Sequence, residues 1–141
     1  MHLKITFLLA ISAIICCLQV YPTDATFQHA KDVLEYFKRI RLDKTKNSVY
    51  KSYVKYGVRN ILRNRLLQKA GCLKKEVNLS SDCLNRMVDK ARQHENEFYA
   101  KFTYACKGHA EYSAACLEFA RPKYYRQLRA LVAQTEKCWK L

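Results

Sequence analysis

The stretch KTKNSVYKSYVKYGVRNILRNRLLQKAGCLKK, residues 44–75, holds ten Lys or Arg residues and not one Asp or Glu. Its apolar positions Val54, Val58, Ile61, Leu62 and Leu66 recur at helical spacing, which predicts an amphipathic helix over residues 48–70. Asn47 or Ser48 supplies an N-cap, and Gly71 follows the pattern where a left-handed C-cap belongs. On this helix Lys51, Lys55, Arg59 and Arg63 fall four residues apart and stack as a positive ridge. Like charges at that spacing destabilise a helix by roughly 0.2–0.5 kcal/mol per pair, so the three pairs cost on the order of 1 kcal/mol. No acidic neighbour in the stretch relieves that cost. Extended by Lys69, Lys74 and Lys75, the ridge is a candidate docking face for an anionic partner; the alternative is the ordinary solvated side of a basic protein. Tyr50, Tyr53 and Tyr56 stand beside it, and amphipathic border suits them better than binding surface.

The N-terminus decides which anions the ridge can meet. Lys4 and the apolar run Ile5 to Leu18 have the form of a secretory signal, and the run is short for the roughly 20 residues of a membrane span. Thr23 and Ala25 suit the −3 and −1 positions, which places cleavage after Ala25. Residues 1–25 therefore read as a signal peptide and residues 26–141 as a single domain, with no membrane span in it. Cys16 and Cys17 leave with the signal; so do Lys4 and Asp24, and the net charge stays at +14. A chain of this length buries roughly 65% of its unfolded surface in one modest core. In the secretory route a basic surface meets anionic glycans, anionic membranes and acidic protein patches, not nucleic acid.

Outward from the basic helix, Phe27, Ala30, Val33, Leu34, Phe37 and Ile40 predict a helix over residues 27–42. Asn78-Leu79-Ser80 lies in the loop after the basic helix and makes Asn78 a glycosylation acceptor in a secreted chain. Asp82 opens a third helix, whose face is Leu84, Val88, Ala91, Phe98, Phe102 and Ala105. A short helix over residues 109–119 follows and stops at Arg121-Pro122, and Pro122 opens the last helix. There Tyr125, Leu128, Leu131, Val132 and Thr135 face inward. The class is all-α: a small disulfide-stapled bundle of four main helices plus one short one.

Helix geometry limits how the five mature cysteines pair. Cys83 and Cys106 lie roughly 35 Å apart along one helix, while bridged Cα atoms must lie within about 7 Å. Up-down packing gathers Cys72, Cys83 and Cys138 at one end and Cys106 and Cys116 at the other. Cys106 then pairs with Cys116, and Cys138 with Cys83 in preference to Cys72. Cys72 is left as a buried thiol or as a link between two chains.

An active site is hard to assemble. Three scattered glycines cannot make a phosphate loop, and neither a nucleophile elbow nor a zinc helix occurs. His94 and Glu97 share a helix face, which gives two ligands and not a metal site. Glu35, Glu95 and Glu118 show no partner in the sequence. The expectation is a binding protein with no catalytic residues, metal or cofactor. A competing expectation is a helical carrier of a small apolar ligand, of the odorant-binding kind, although no cysteine staples its first two helices.

The Met1–Ala25 signal, the short basic helical chain, cysteines at 72, 83, 106, 116 and 138, and the closing Cys138-Trp139 together carry a resemblance. The chain resembles the salivary-gland-seven family of anopheline mosquitoes, the anophensin- and albicin-like proteins. The resemblance implies a secreted salivary effector that is not an enzyme and that impairs a host defence cascade. It implies as partners the C3 convertase components of the alternative complement pathway, or factor XII and high-molecular-weight kininogen of contact activation.

Overall fold

The structure, a computed structural model, describes residues 24–42, 44–74, 76–106 and 113–139. Four helices account for it: α1 (Asp24–Phe37), α2, α3 (Ser81–Ala105) and α4 (Ser113–Trp139). Helix α2 is a continuous rod of three segments, α-helical Ser48–Tyr56, π-helical Gly57–Arg63 and α-helical Asn64–Gly71. There is no strand among the described residues. Residues 107–112, the start of the expected short helix, lie outside the described residues, as do Lys75 and nearly all of the expected signal peptide.

The π segment answers to a regularity in the sequence. Val54, Val58, Leu62, Leu66 and Ala70 repeat every four residues, and all are buried. At 3.6 residues per turn each such step overshoots by about 40°, so four steps would carry the stripe about 160° around the rod. The wider i→i+5 turn takes back part of that drift, and the Asn64 N–H accordingly donates to the Arg59 carbonyl. Asn47 caps the rod, its side chain accepting from the Tyr50 N–H at 2.9 Å. Ser80 caps α3 in the same way through the Cys83 N–H.

Helices α3 and α4 run antiparallel. Cys83 and Cys138 are bridged near one end, with Cα atoms 5.9 Å apart, and Phe98 stacks on Tyr124 farther along at 4.6 Å. Closing a 55-residue separation contributes about 4 kcal/mol in the chain-entropy account. Helix α2 runs parallel to α4, since Tyr53 meets Tyr125 and Lys69 meets Glu136. Tyr50 joins the aromatic cluster between Phe98 at 5.4 Å and Phe102 at 5.2 Å. The connection from α1 to α2 is strapped across α3: Arg39 donates to Asn85, Arg92 donates to the Arg39 carbonyl, and Lys44 donates to Asn96.

Three sequence expectations need correction. Helix α1 ends at Phe37, not Leu42, although Ile40 is still buried beyond its end. Gly71 is the last helical residue and not a left-handed cap; Cys72 closes the helix at φ −96°. Residues 113–119 are not a separate helix, because α4 runs through Pro122 without a break. A proline inside a helix removes one N–H and crowds the carbonyl four residues back, at a cost of about 3 kcal/mol. Leu117 on one side and Tyr124, Tyr125 and Leu128 on the other are all buried, and their burial holds the rod together across the proline.

Gly57 sets the separation of α2 and α4. A Cβ there would lie 2.8 Å from Leu128 Cδ1, 3.1 Å from the Tyr124 ring and 3.3 Å from the Tyr125 ring. Leu128 is fully buried and Tyr124 is stacked, so neither can move aside freely. Gly57→Ala gains about 1 kcal/mol of helix propensity but overpacks the contact by about 1–3 kcal/mol. Urea unfolding is expected to show a net loss of stability; a gain approaching the propensity value would mean that the two helices are not in contact there.

Candidate functional site

The basic ridge divides when it is folded. Lys51, Lys55 and Arg59 are exposed and make no ion pair among the described residues. Arg63 is half-buried and turns toward α1, where it lines a groove with Leu34, Glu35 and Lys38. Lys69 turns the other way and pairs with Glu136 of α4 at 2.5 Å. Lys74 is exposed beyond the helix end, and Asn78 is exposed in the following loop.

A second basic surface emerges on the α4 side. Between Glu118 and Glu136, α4 carries Arg121, Lys123, Arg126 and Arg129 and no acid. Because α4 lies parallel to α2, three of these arginines meet the tyrosines of the acid-free stretch. Ser52, Tyr53, Tyr56, Arg121, Pro122, Tyr125, Arg126 and Arg129 line an open groove of about 700 Å³. The Arg121 guanidinium is centred 5.5 Å from the Tyr53 ring and 5.8 Å from the Tyr125 ring. Glu118 holds it at 2.6 Å and also accepts from the Tyr53 hydroxyl. That hydrogen bond to a carboxylate raises the Tyr53 pKa, and burial pushes Tyr125 up to about 12. Both tyrosines therefore stay neutral donors at physiological pH. The Tyr125 hydroxyl donates to the Tyr53 carbonyl at 3.3 Å, which links the groove's two walls. Arg126 and Arg129 project from the wall, exposed and without an ion pair among the described residues. Sequence reasoning missed this groove; the acid-free run from Phe119 to Thr135 was its available signal.

Among the described residues the acidic side chains noted in the sequence serve the packing and not a catalytic pair. Glu95 is only 2% exposed, and its carboxylate accepts from the Tyr50 hydroxyl at 3.3 Å with Lys44 Nζ 3.8 Å away. This buried carboxylate anchors the aromatic cluster and the α1–α2 connection. Burial and the Glu95 charge raise the Tyr50 pKa, which keeps its hydroxyl a donor. Glu97 is held down by a hydrogen bond from Gln127 at 2.9 Å, and burial lowers His94. No group of three metal-ligating side chains occurs among the described residues. The grooves found there are open to solvent, unlike the enclosed chamber expected of a carrier. No helix among the described residues is long and apolar enough to cross a membrane.

The cysteines sit at the two ends expected of them. Cys83, not Cys72, bridges to Cys138. At the other end Cys106 meets Cys116 as a hydrogen-bonded thiol and not through the expected disulfide, and burial with that contact pushes the Cys106 thiol up to about 12. Cys72 lies half-buried at the end of α2, outside the bridge.

Comparison with known proteins agrees with this framework. The model of the aegyptin C-terminal domain family matches residues 23–139. The gSG7 salivary protein of Anopheles stephensi is 41% identical over 138 residues, covering 98% of this chain and 97% of its own length. That of Anopheles darlingi is 39% identical and covers 98% of both chains. The chain belongs to the gSG7 salivary protein family. Two solved structures of similar proteins share the fold. A mosquito complement inhibitor from Anopheles freeborni is 42% identical with a TM-score of 0.71, over 79% of this chain and 93% of that one. An anophensin from Anopheles stephensi is 42% identical with a TM-score of 0.59, over 79% and 97%.

Within this gSG7 framework two measurements check the internal supports. Tyr50→Phe keeps the aromatic stack but removes the donor to buried Glu95, and chemical denaturation is expected to show a loss of about 1.5–3 kcal/mol. An unchanged stability would mean that Glu95 does not depend on that hydroxyl. Peptide mapping of the oxidised, non-reduced protein is expected to find Cys83–Cys138 and Cys106–Cys116 linkages. Recovery of Cys106 linked to any other cysteine would refute the second bridge.

Proposed function

We propose that this protein is a secreted salivary effector that inhibits the alternative complement pathway by binding host plasma proteins of its C3 convertase. The observation that carries the reading is the 42% identity and shared fold with a complement inhibitor from mosquito. The surface chemistry supports it, because a net charge of +14 steers encounter with acidic patches on a large partner. Contact activation, through factor XII and high-molecular-weight kininogen, is the second reading, and it rests on the resemblance to the salivary-gland-seven family. In either case the protein acts by docking and not by catalysis. Residues 1–25 serve as its secretory signal; Asp24 opens α1, so cleavage after Ala25 falls within the first turn. Asn78 is its glycosylation acceptor.

Purified protein is expected to inhibit alternative-pathway haemolysis, with a kallikrein-generation assay run beside it; inhibition of neither would reject the reading. Changing Lys51, Lys55, Arg59 and Arg63 together to Gln removes the like-charge cost and should leave the fold intact or slightly more stable. The same variant is expected to bind its plasma target more weakly and with a flatter dependence on salt. Unchanged affinity would make the ridge an ordinary solvated face.

A further inference from the structure

We propose that the groove between α2 and α4 is a binding site for a short acidic peptide segment with an aromatic side chain near its centre. Arg126 and Arg129 would clamp its carboxylates, and Tyr56 would pack on its ring. The proposal rests on the reading of the protein as one that docks on a host protein, and it names the chemistry of what is docked.

Four observations lead to it. First, the groove offers guanidinium groups, whose planar forks bind carboxylates bidentately, whereas the outer ridge begins with the point charges of Lys51 and Lys55. Second, the groove is organised before a ligand arrives. Arg121 is fixed by Glu118 and by the two tyrosine rings, and the Tyr125 hydroxyl ties the walls together. Little ordering entropy is then left for binding to offset. Third, Tyr56 is 52% exposed and lies 5.6 Å from Tyr125, so the wall offers aromatic area that a purely charged ligand would not use. Tyrosine and arginine are also the residues most enriched at energetic centres of interfaces.

Fourth, the positive strip is finite. Glu118 closes it at one end and Glu136 at the other, each already engaged by a basic side chain. The 18 residue steps from Glu118 to Glu136 span about 27 Å of helix, which an extended peptide of about eight residues matches at roughly 3.4 Å each. A long sulfated glycan following the same strip would run into both carboxylates. Arg129 also borders the neighbouring cleft lined by Ile61, Arg65 and Lys69, so the strip continues past the groove for the ends of such a peptide.

The test is titration of the full-length protein with a fluorescein-labelled octapeptide, Glu-Asp-Glu-Tyr-Glu-Asp-Glu-Glu, read by anisotropy. A copy with Ser in place of Tyr and a heparin octasaccharide serve as the comparison probes. Arg126→Gln with Arg129→Gln is expected to weaken octapeptide binding about a hundredfold, roughly tenfold for each charge-assisted contact removed. Tyr56→Ala and the Ser peptide should each weaken it about fivefold. Lys51→Gln with Lys55→Gln should change it less than twofold. All the substituted side chains are exposed, and far-UV circular dichroism checks that the fold is kept. Octapeptide binding indifferent to Arg126 and Arg129, or absent altogether, would overturn the proposal. Heparin binding that is stronger, that displaces the octapeptide and that falls with Arg126→Gln and Arg129→Gln would reassign the groove to glycans and overturn it equally. The titration needs no complement assay, so the two readings fail separately. Octapeptide binding without haemolytic inhibition removes the function and keeps the site, and inhibition that survives loss of octapeptide binding removes the site and keeps the function.

Discussion

The approach of α2 to α4 at Gly57 is the contact on which the functional surface depends. Without a Cβ at that position, the two rods close until Leu128, Tyr124 and Tyr125 fill the space between them. The contact brings together two helical stretches that carry no acid between them, one from Lys44 to Lys74 and one from Phe119 to Thr135. Charge alone would keep such surfaces apart. Yet like-charge pairs on exposed faces cost only a few tenths of a kcal/mol each, whereas each fully buried Leu or Val contributes about 1.5–3 kcal/mol. Val58, Ile61, Leu62 and Leu128 are all buried along this seam, so apolar burial wins and the positive charge is concentrated as a consequence.

The rest of the molecule holds that seam rigid. The Cys83–Cys138 bridge pins α4 to α3 near one end, and the aromatic cluster of Tyr50, Phe98, Phe102 and Tyr124 ties α2, α3 and α4 farther along. Glu95 lies buried beneath that cluster with the Tyr50 hydroxyl and Lys44, so the chain entering α2 is anchored to the middle of α3. A carboxylate that a search for catalysis would single out instead serves to position the basic helix. The proposed docking surface then draws on exposed Arg126, Arg129 and Tyr56, which are set on helices where their spacing is fixed before any partner arrives.

How much of this could be read beforehand depended on how local each cause is. The buried stripe of α2 was legible because Val54, Val58, Leu62 and Leu66 announce it, whereas the π segment that answers to their four-residue repeat was not foreseen. Helix lengths and an up-down order narrowed the partner of Cys138 to Cys83 or Cys72, and the fold takes Cys83. Pro122 misled, because a local stop signal was overridden by burial of Leu117 on one side and Tyr124 and Tyr125 on the other. Gly71 misled in the same sense, since the helix closed one residue later at Cys72. The groove itself was invisible in one dimension. Tyr53 and Arg121 are distant in sequence, and only the parallel course of α2 and α4 makes them neighbours. The ridge from Lys51 to Arg63 was seen, but its partition between the α1 side and the α4 side was not.

The central claim is that the protein docks through the joined surface of α2 and α4. Hydrogen–deuterium exchange of the protein, free and bound to the assembled alternative-pathway C3 convertase, tests it most directly. The account predicts slowed exchange confined to residues 48–65 and 118–132. Protection at α1 or along the outer face of α3, with the α2 and α4 segments unchanged, would contradict it.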